Sequence, residues 1–316
     1  MSETLSKLDV QKMKALVRTP NGVVCMERAV PRLQSPTDVR IKVQSTAICR
    51  TDVFAANGTI PVEDGRVLGH EFAGTVDQVG SSVTSIKLGS RVAVNPLISC
   101  GRCQACGDGA HHYCAETQFI GIDLDGAFAQ WIVVPEYQVY QLPESVRFDV
   151  GAYAEPLAAV MAILEAELPH EEPIAVTGDG RIADLTCIIL KDHDYQVVRV
   201  NVGQAEKNGF AAVVETDLNS ANAEGILKLL KPGGLLVMKS RRPEEISLSP
   251  LLCIKRRLRI QAVHYAPFEN ALEYLERSKD QLQTFIGQTY PLEAHEQAFT
   301  ASCANEKVKI YFNPND

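Results

Sequence analysis

The sequence predicts a mixed α/β protein in two parts, one mainly β and one built on a parallel sheet covered by helices. Three observations predict this. Up to about Pro156 the chain reads as short strands punctuated by Gly and Pro. Beyond that point short apolar runs alternate with amphipathic helical segments. Within the first part, Cys100, Cys103, Cys106 and Cys114 crowd a loop poor in apolar residues, where a bound metal would replace a core. At 316 residues the chain is long enough for two cores, and with 46% apolar and 22% charged residues it reads as globular.

The elements follow in order. Met13 to Arg18 and Gly22 to Arg28 flank a Thr-Pro-Asn-Gly turn and read as a hairpin. Val39, Ile41 and Val43 alternate with polar residues, as in a half-buried strand. Phe72 to Val79, Arg91 to Val94 and Phe128 to Val134 continue the β pattern. Leu157 to Leu168 reads as a helix, Ile174 to Thr177 as a strand, and Arg181 to Lys191 as a helix with Ile182, Leu185 and Ile189 on one face. Tyr195 to Val200 and Ala211 to Val214 are strands. Gly225 to Lys231 is a helix stopped at Pro232-Gly233-Gly234, and Leu235 to Met238 is a strand. Phe268, Ala271, Leu272 and Leu275 mark a last amphipathic helix. From about Phe285 the tail returns to short strands such as Val308 to Phe312, expected to fold back onto the first domain.

The four clustered cysteines suit a closed tetrahedral zinc with no open position, hence a structural one. Two disulfides or spare thiols are the competing readings. Cys25, Cys187, Cys253 and Cys303 sit among apolar neighbours and read as buried core residues. His111 and His112 inside the loop read as exposed polar residues, and Lys255-Arg256-Arg257 as a solvated face. The net charge of −8 argues against a nucleic-acid partner. Residues 1–12 are polar with no apolar signal core, and no apolar run approaches membrane-spanning length. A cytoplasmic protein with reduced thiols is expected.

Gly178-Asp179-Gly180-Arg181-Ile182-Ala183 fits G-x-G-x-x-G/A between a strand and a helix. Glycines there let a pyrophosphate approach the backbone at a helix N-terminus. An ordinary tight turn fits the same letters.

Three further stretches carry a resemblance: Cys49-Arg50-Thr51-Asp52, the run G-H-E-F-A-G-T-V-D-Q-V-G-S-S-V from Gly69 to Val83, and Ala154-Glu155-Pro156-Leu157-Ala158. With the cysteine loop, and in this order from Met13 onward, they resemble the zinc-dependent medium-chain alcohol and polyol dehydrogenases of the sorbitol and threonine dehydrogenase type. The resemblance implies a GroES-like catalytic domain over 1–157 and 285–316 and a Rossmann-type dinucleotide domain over 158–284. It implies that Cys49, His70 and Glu155 are catalytic zinc ligands, with Glu71 a nearby carboxylate able to bind the metal when substrate is absent. Thr51 would relay a proton, Asp52 would hold the ligating histidine, and Arg50 would meet the cofactor pyrophosphate. Gly178, Gly180, Arg181, Ile182 and Asn201 would line the cofactor. Two zincs per chain, NAD in preference to NADP, and a homodimer or homotetramer follow in the same way.

The chemistry of these residue types agrees. A thiolate and a carboxylate neutralise Zn²⁺ while a neutral imidazole adds no charge, leaving a Lewis acid with an open position. The expected reaction interconverts a secondary alcohol, polyol or amino alcohol with its ketone. Phe54, where sugar-alcohol members often have histidine, makes the pocket less polar.

The cofactor region departs from the pattern. Asp179 puts a negative charge in the phosphate turn unless Arg181 or Arg50 offsets it. Asn201 stands where an acidic residue usually takes the ribose hydroxyls of NAD, which also removes repulsion against the 2′-phosphate of NADP. The chain runs almost directly from the second strand to Ala211, so the nucleotide domain reads as abbreviated by one unit, and Thr216-Asp217-Leu218 replaces a usual Thr-Gly pair. These departures motivate an alternative, a degenerate member that keeps zinc, lacks nucleotide turnover and acts as a binding or regulatory protein.

Overall fold

In a computed structural model the described residues are 11–205 and 207–316, so most of the polar start read as lacking a signal core lies outside them. They divide into two units, one holding residues up to Ala152 with Gly287–Ala301 and Ile310–Asp316, the other Tyr153–Ile286 with Ser302–Lys309.

In the first unit the hairpin forms as the turn chemistry dictates. β1 (Lys12–Thr19) pairs antiparallel with β2 (Gly22–Ala29), and Gly22 takes the φ of +114° at its exit. Then follow β3 (Asp38–Ala47), helix α1 (Arg50–Ala56), β4 (Glu71–Val79), β5 (Arg91–Val94), β6 (Leu97–Ile98), the short helix α2 (Gln104–Gly107), β7 (Gln118–Phe119), β8 (Trp131–Pro135), β9 (Val139–Gln141) and helix α3 (Phe148–Ala152). A seven-stranded sheet runs in the order Ile286–Tyr290, Lys309–Phe312, β3, β4, β5, β9, with β8 also on β3. The alternation in β3 puts Val39, Ile41 and Val43 into a core with Phe72, Val76, Val92 and Val94.

The strand expected at Phe128 starts only at Trp131. Phe128 instead splices two other segments, accepting from the Leu16 N–H at 2.7 Å and donating to the Leu68 carbonyl at 2.8 Å. Its buried ring meets the edges of Phe299 and Phe312 at centroid distances of 6.3 and 5.1 Å. This packing requires Gly69: its φ is +95°, and a Cβ there would stand 2.4 Å from the Phe128 ring. The ring therefore seats the backbone one residue before His70.

The second unit begins with helix α4 (Ala154–Met161), followed by β10 (Ile174–Thr177), α5 (Arg181–Asp192), β11 (Val197–Val200), β12 (Phe210–Glu215), α6 (Ala223–Leu229), β13 (Leu230–Met238), α7 (Pro250–Arg256), β14 (Arg259–Ala262) and α8 (Phe268–Leu282). The strands form one parallel sheet in the order β11-β10-β12-β13-β14. Central β10 is buried along its whole length. Only turns connect β11 to β12 among the described residues, so β11 is an edge strand and the sheet stops at five.

Several boundaries differ from the sequence reading. α4 starts earlier than Leu157, because Pro156 tolerates the first turn of a helix, where its missing N–H has no intrahelical partner. It tightens to a 3₁₀ turn over Ala162–Glu165 instead of continuing to Leu168. Pro232-Gly233-Gly234 falls within β13, at a register shift, after α6 has ended at Leu229. α8 is not the last helix. His295–Ala304 also forms one, invisible as a stripe because only Ala298 is buried on it. Within the second unit α4 packs on α5 and α8.

The four unassigned cysteines are not core residues. Cys25, Cys187 and Cys253 are half-buried and Cys303 is exposed near the end of its helix. Cys25 and Cys253 pack against the margins of core clusters without being enclosed by them. Arg256 of the basic run is likewise engaged, donating to the Leu227 carbonyl at 3.1 Å.

Candidate metal centres and cofactor turn

Cys49 is the N-cap of α1, in extended conformation at the end of the turn that leaves β3. Asp52, three residues on, closes the cap from inside: its Oδ2 accepts from the Cys49 N–H at 2.8 Å. Its other oxygen accepts from the Gly69 N–H at 3.1 Å and lies 3.3 Å from Nδ1 of His70. One fully buried carboxylate thus ties the Cys49 turn to the Gly69-His70-Glu71 turn entering β4. Ligand atoms of Cys49, His70 and Glu71 lie within 4.8 Å of one another, with His70 and Glu71 buried.

Burial pulls the His70 imidazole down, but the Asp52 carboxylate and Cys49 outweigh it and hold the ring well above its ordinary pKa. The side chains thus create a site that favours positive charge. Asp52 beside Nδ1 leaves Nε2 as the nitrogen for a metal, the usual carboxylate–histidine arrangement. A thiol, an imidazole and a carboxylate gathered this way fit zinc. Thr51 Oγ1 lies 3.7 Å from Cys49 Sγ, next to the same group.

Glu155 belongs to the second unit, buried in the first turn of α4. Its Oε1 accepts a hydrogen bond from the Tyr265 hydroxyl. Arg241 donates to that hydroxyl at 2.7 Å and stacks its guanidinium 4.3 Å over the ring. Burial is the leading cause that pushes the Tyr265 phenol well up, with Glu155 adding to it and Arg241 opposing, so the phenol stays a donor. Burial, then Arg241 and Lys239, lower neighbouring His264 to about 4. Sequence reasoning found neither Tyr265 nor Arg241, since no spacing ties them to Glu155.

Ligand atoms of Cys100, Cys103, Cys106 and Cys114 also lie within 4.8 Å of one another, and all four residues are free thiols. Cys103 and Cys106 sulfurs are 3.4 Å apart and those of Cys100 and Cys106 3.9 Å. Sulfurs at about 2.3 Å around one tetrahedral zinc would be about 3.8 Å apart. The Cys100 N–H donates to Cys114 Sγ at 3.3 Å and, as the leading cause, lowers that thiol to about 6. Cys103 rises to about 11: a backbone bond at Cys106 lowers it, but the Cys106 thiol, burial and the other sulfurs overcome this. Four thiolates cannot be charged side by side without a cation. His111 is exposed as expected, with Nδ1 2.9 Å from Ser99 Oγ; nothing is described of the His112 side chain.

The nucleotide turn joins β10 to α5. Gly178 has a φ of +105°, and a Cβ there would meet Thr216 Oγ1 at 2.3 Å. Gly180 is the N-cap of α5, with Arg181 and Ile182 opening the helix. Asn201 follows the edge strand β11, and its Oδ1 accepts from the Gly203 N–H at 3.0 Å. Arg50 opens α1 in the first unit.

Residues 35–144 match the alcohol dehydrogenase GroES-like domain family. D-xylulose reductase A of Aspergillus niger is 28% identical over 344 aligned positions, covering 95% of this chain and 96% of that protein. L-threonine 3-dehydrogenase of Sinorhizobium fredii (strain NBRC 101917 / NGR234) is 36% identical over 225 positions, 69% of this chain and 60% of that protein. The solved acetophenone reductase of Geotrichum candidum NBRC 4597, in complex with NAD, superposes with a TM-score of 0.85. It covers 96% of this chain and 97% of its own, and at 18% identity this likeness shows the fold. Fold and comparisons together define a two-part enzyme class, a GroES-like β domain followed by an abbreviated Rossmann-type sheet. With its GroES-like domain matched over residues 35–144, the chain is similar to the zinc-dependent medium-chain polyol and threonine dehydrogenases.

Proposed function

We propose that the protein is a zinc-dependent oxidoreductase interconverting a secondary alcohol, of the polyol or amino-alcohol class, with its ketone at the expense of NAD(P). The observation that carries this is the gathering of Cys49, His70 and Glu71 donors within 4.8 Å over buried Asp52. Oxidation would remove the carbinol hydrogen as hydride and the hydroxyl proton to solvent, leaving a carbonyl. When bound, zinc supplies Lewis acidity to the hydroxyl oxygen and the nicotinamide supplies the hydride acceptor.

The chain's own residues do the rest. Cys49 and His70 hold the metal with Glu155 as third ligand, and Glu71 takes a ligand position when substrate is absent. Thr51 carries the hydroxyl proton away from the site. Asp52 keeps His70 in one tautomer and orientation. Gly178, Gly180, Arg181 and Ile182 receive the diphosphate, Arg50 neutralises it, and Asn201 bonds a ribose hydroxyl. Residues 1–157 with 285–316 act as the catalytic domain and 158–284 as the nucleotide domain. A second zinc in the Cys100–Cys114 lobe is structural.

NAD is the expected partner over NADP, because nearby Arg199 and Lys307 are already engaged by Asp184, at 2.9 and 2.8 Å. The reading carries with it a cytoplasmic homodimer or homotetramer. A panel of polyols and amino alcohols assayed with NAD should give NADH, and Cys49→Ser should lower that signal at least about a hundredfold. Absence of any NADH across the panel at millimolar cofactor would overturn the reading.

A further inference from the structure

The turn that should receive the nucleotide diphosphate is closed in this chain by its own tail. The Glu306 carbonyl accepts from the Arg181 backbone N–H at 3.0 Å and from Arg181 Nη1 at 3.3 Å. A Glu306 carboxylate oxygen stands 3.3 Å from where a Cβ on Gly180 would be. Next along, Lys307 Nζ lies 2.8 Å from Asp184 on α5, and the Lys307 N–H donates to Asn305 Oδ1 at 2.9 Å. The short stretch Ser302–Lys309 groups with the parallel-sheet unit, although the residues on both sides of it group with the other.

We propose that Asn305-Glu306-Lys307 is a strap that shuts the phosphate turn, and that Glu306 thereby sets the protein's affinity for its nucleotide. The inference rests on the dehydrogenase reading for its ligand, but the strap itself is a property of the free chain. An N–H at the start of a helix bonds an anionic phosphate more strongly than a neutral carbonyl, so a diphosphate can displace Glu306. Displacement takes part of the binding energy, because apparent affinity falls with the fraction of turns that are open. The Glu306 carboxylate, beside Gly180, adds charge repulsion at the place the diphosphate must enter.

Titration of the zinc-loaded full chain with NADH tests this. Glu306→Gln keeps the fold, since the side chain is exposed, and should tighten NADH binding about fivefold, with a smaller gain at high ionic strength. Amide exchange should find Arg181 protected in the free protein, and saturating NADH should speed exchange across 305–307. Unchanged or weaker binding by Glu306→Gln, or slower exchange at 305–307 with NADH, overturns the proposal. If neither protein binds millimolar NADH, the cofactor reading falls. A protected Arg181 amide would then mark a turn held permanently shut and uphold the strap, whereas an unprotected one would overturn it too.

Discussion

Asp52 organises the candidate catalytic centre although it is not one of its ligands. Its two oxygens hold the backbone N–H groups of Cys49 and Gly69 and face His70, with no exposure to solvent. Removing the carboxylate leaves buried donors unpaired, a cost of about 1–3 kcal/mol each. Asp52→Ala should therefore destabilise the fold by about 3 kcal/mol in urea melts and loosen zinc at His70 about tenfold or more. Cys49→Ser should cost metal but little stability, since the N-cap acceptor from Asp52 stays in place. Equal stability losses in the two variants would show that Asp52 acts only through the metal. Cys49, Asp52 and His70 were legible because the family's motifs fix their order. Tyr265 was not, because its link to Glu155 depends on how β14 delivers the chain after Ala262 to the start of α4, a fact of topology.

Elements with a strong internal pattern declared themselves in sequence, and those held by long-range partners did not. β3 reads from alternation alone, and the β1–β2 hairpin from its turn. The helix at His295–Ala304 has no apolar stripe, and the stretch at Phe128 is fixed by the backbones of Leu16 and Leu68, so neither could be read locally. The cysteine lobe is the extreme case. Between Cys100 and Cys114 only α2 and a single 3₁₀ turn at His111–Tyr113 form, and most residues are exposed. We propose that its order comes from a bound metal, which would substitute for a core. Chelation should make the lobe the first site of proteolytic cleavage, within 100–114, while the sheet around β3 and β4 stays intact. Cys103→Ser should give the same fragments without chelator. Resistance of the metal-free lobe would assign its order to packing instead.

At the scale of the molecule the consequence to weigh is the short parallel sheet. With β11 at the edge and no strand beyond it among the described residues, the side proposed to receive the ribose and adenine has less protein to bury them. In that proposal recognition there falls to the chain after Val200. Asn201, just after β11, has its side chain turned onto the Gly203 N–H, an acceptor role a carboxylate would fill as well. Asparagine gives up the charge-assisted bond to a ribose hydroxyl that a carboxylate makes, and it offers a 2′-phosphate neither repulsion nor a cation. Arg199 and Lys307 are spent on Asp184, and Lys207, on the connection after Val200, is exposed. The wild-type chain should therefore prefer NADH over NADPH, but only by a small factor. Asn201→Asp should keep the loop, since the Gly203 N–H keeps its acceptor, while tightening NADH and weakening NADPH. Together these should move the affinity ratio about tenfold toward NADH. Asp184→Asn should move it the other way, by releasing Arg199 toward the phosphate. Fluorescence titration of both nucleotides against the three proteins reads the ratio directly. An unchanged ratio in Asn201→Asp would mean that the ribose is held elsewhere and that β11 does not mark the adenosine side.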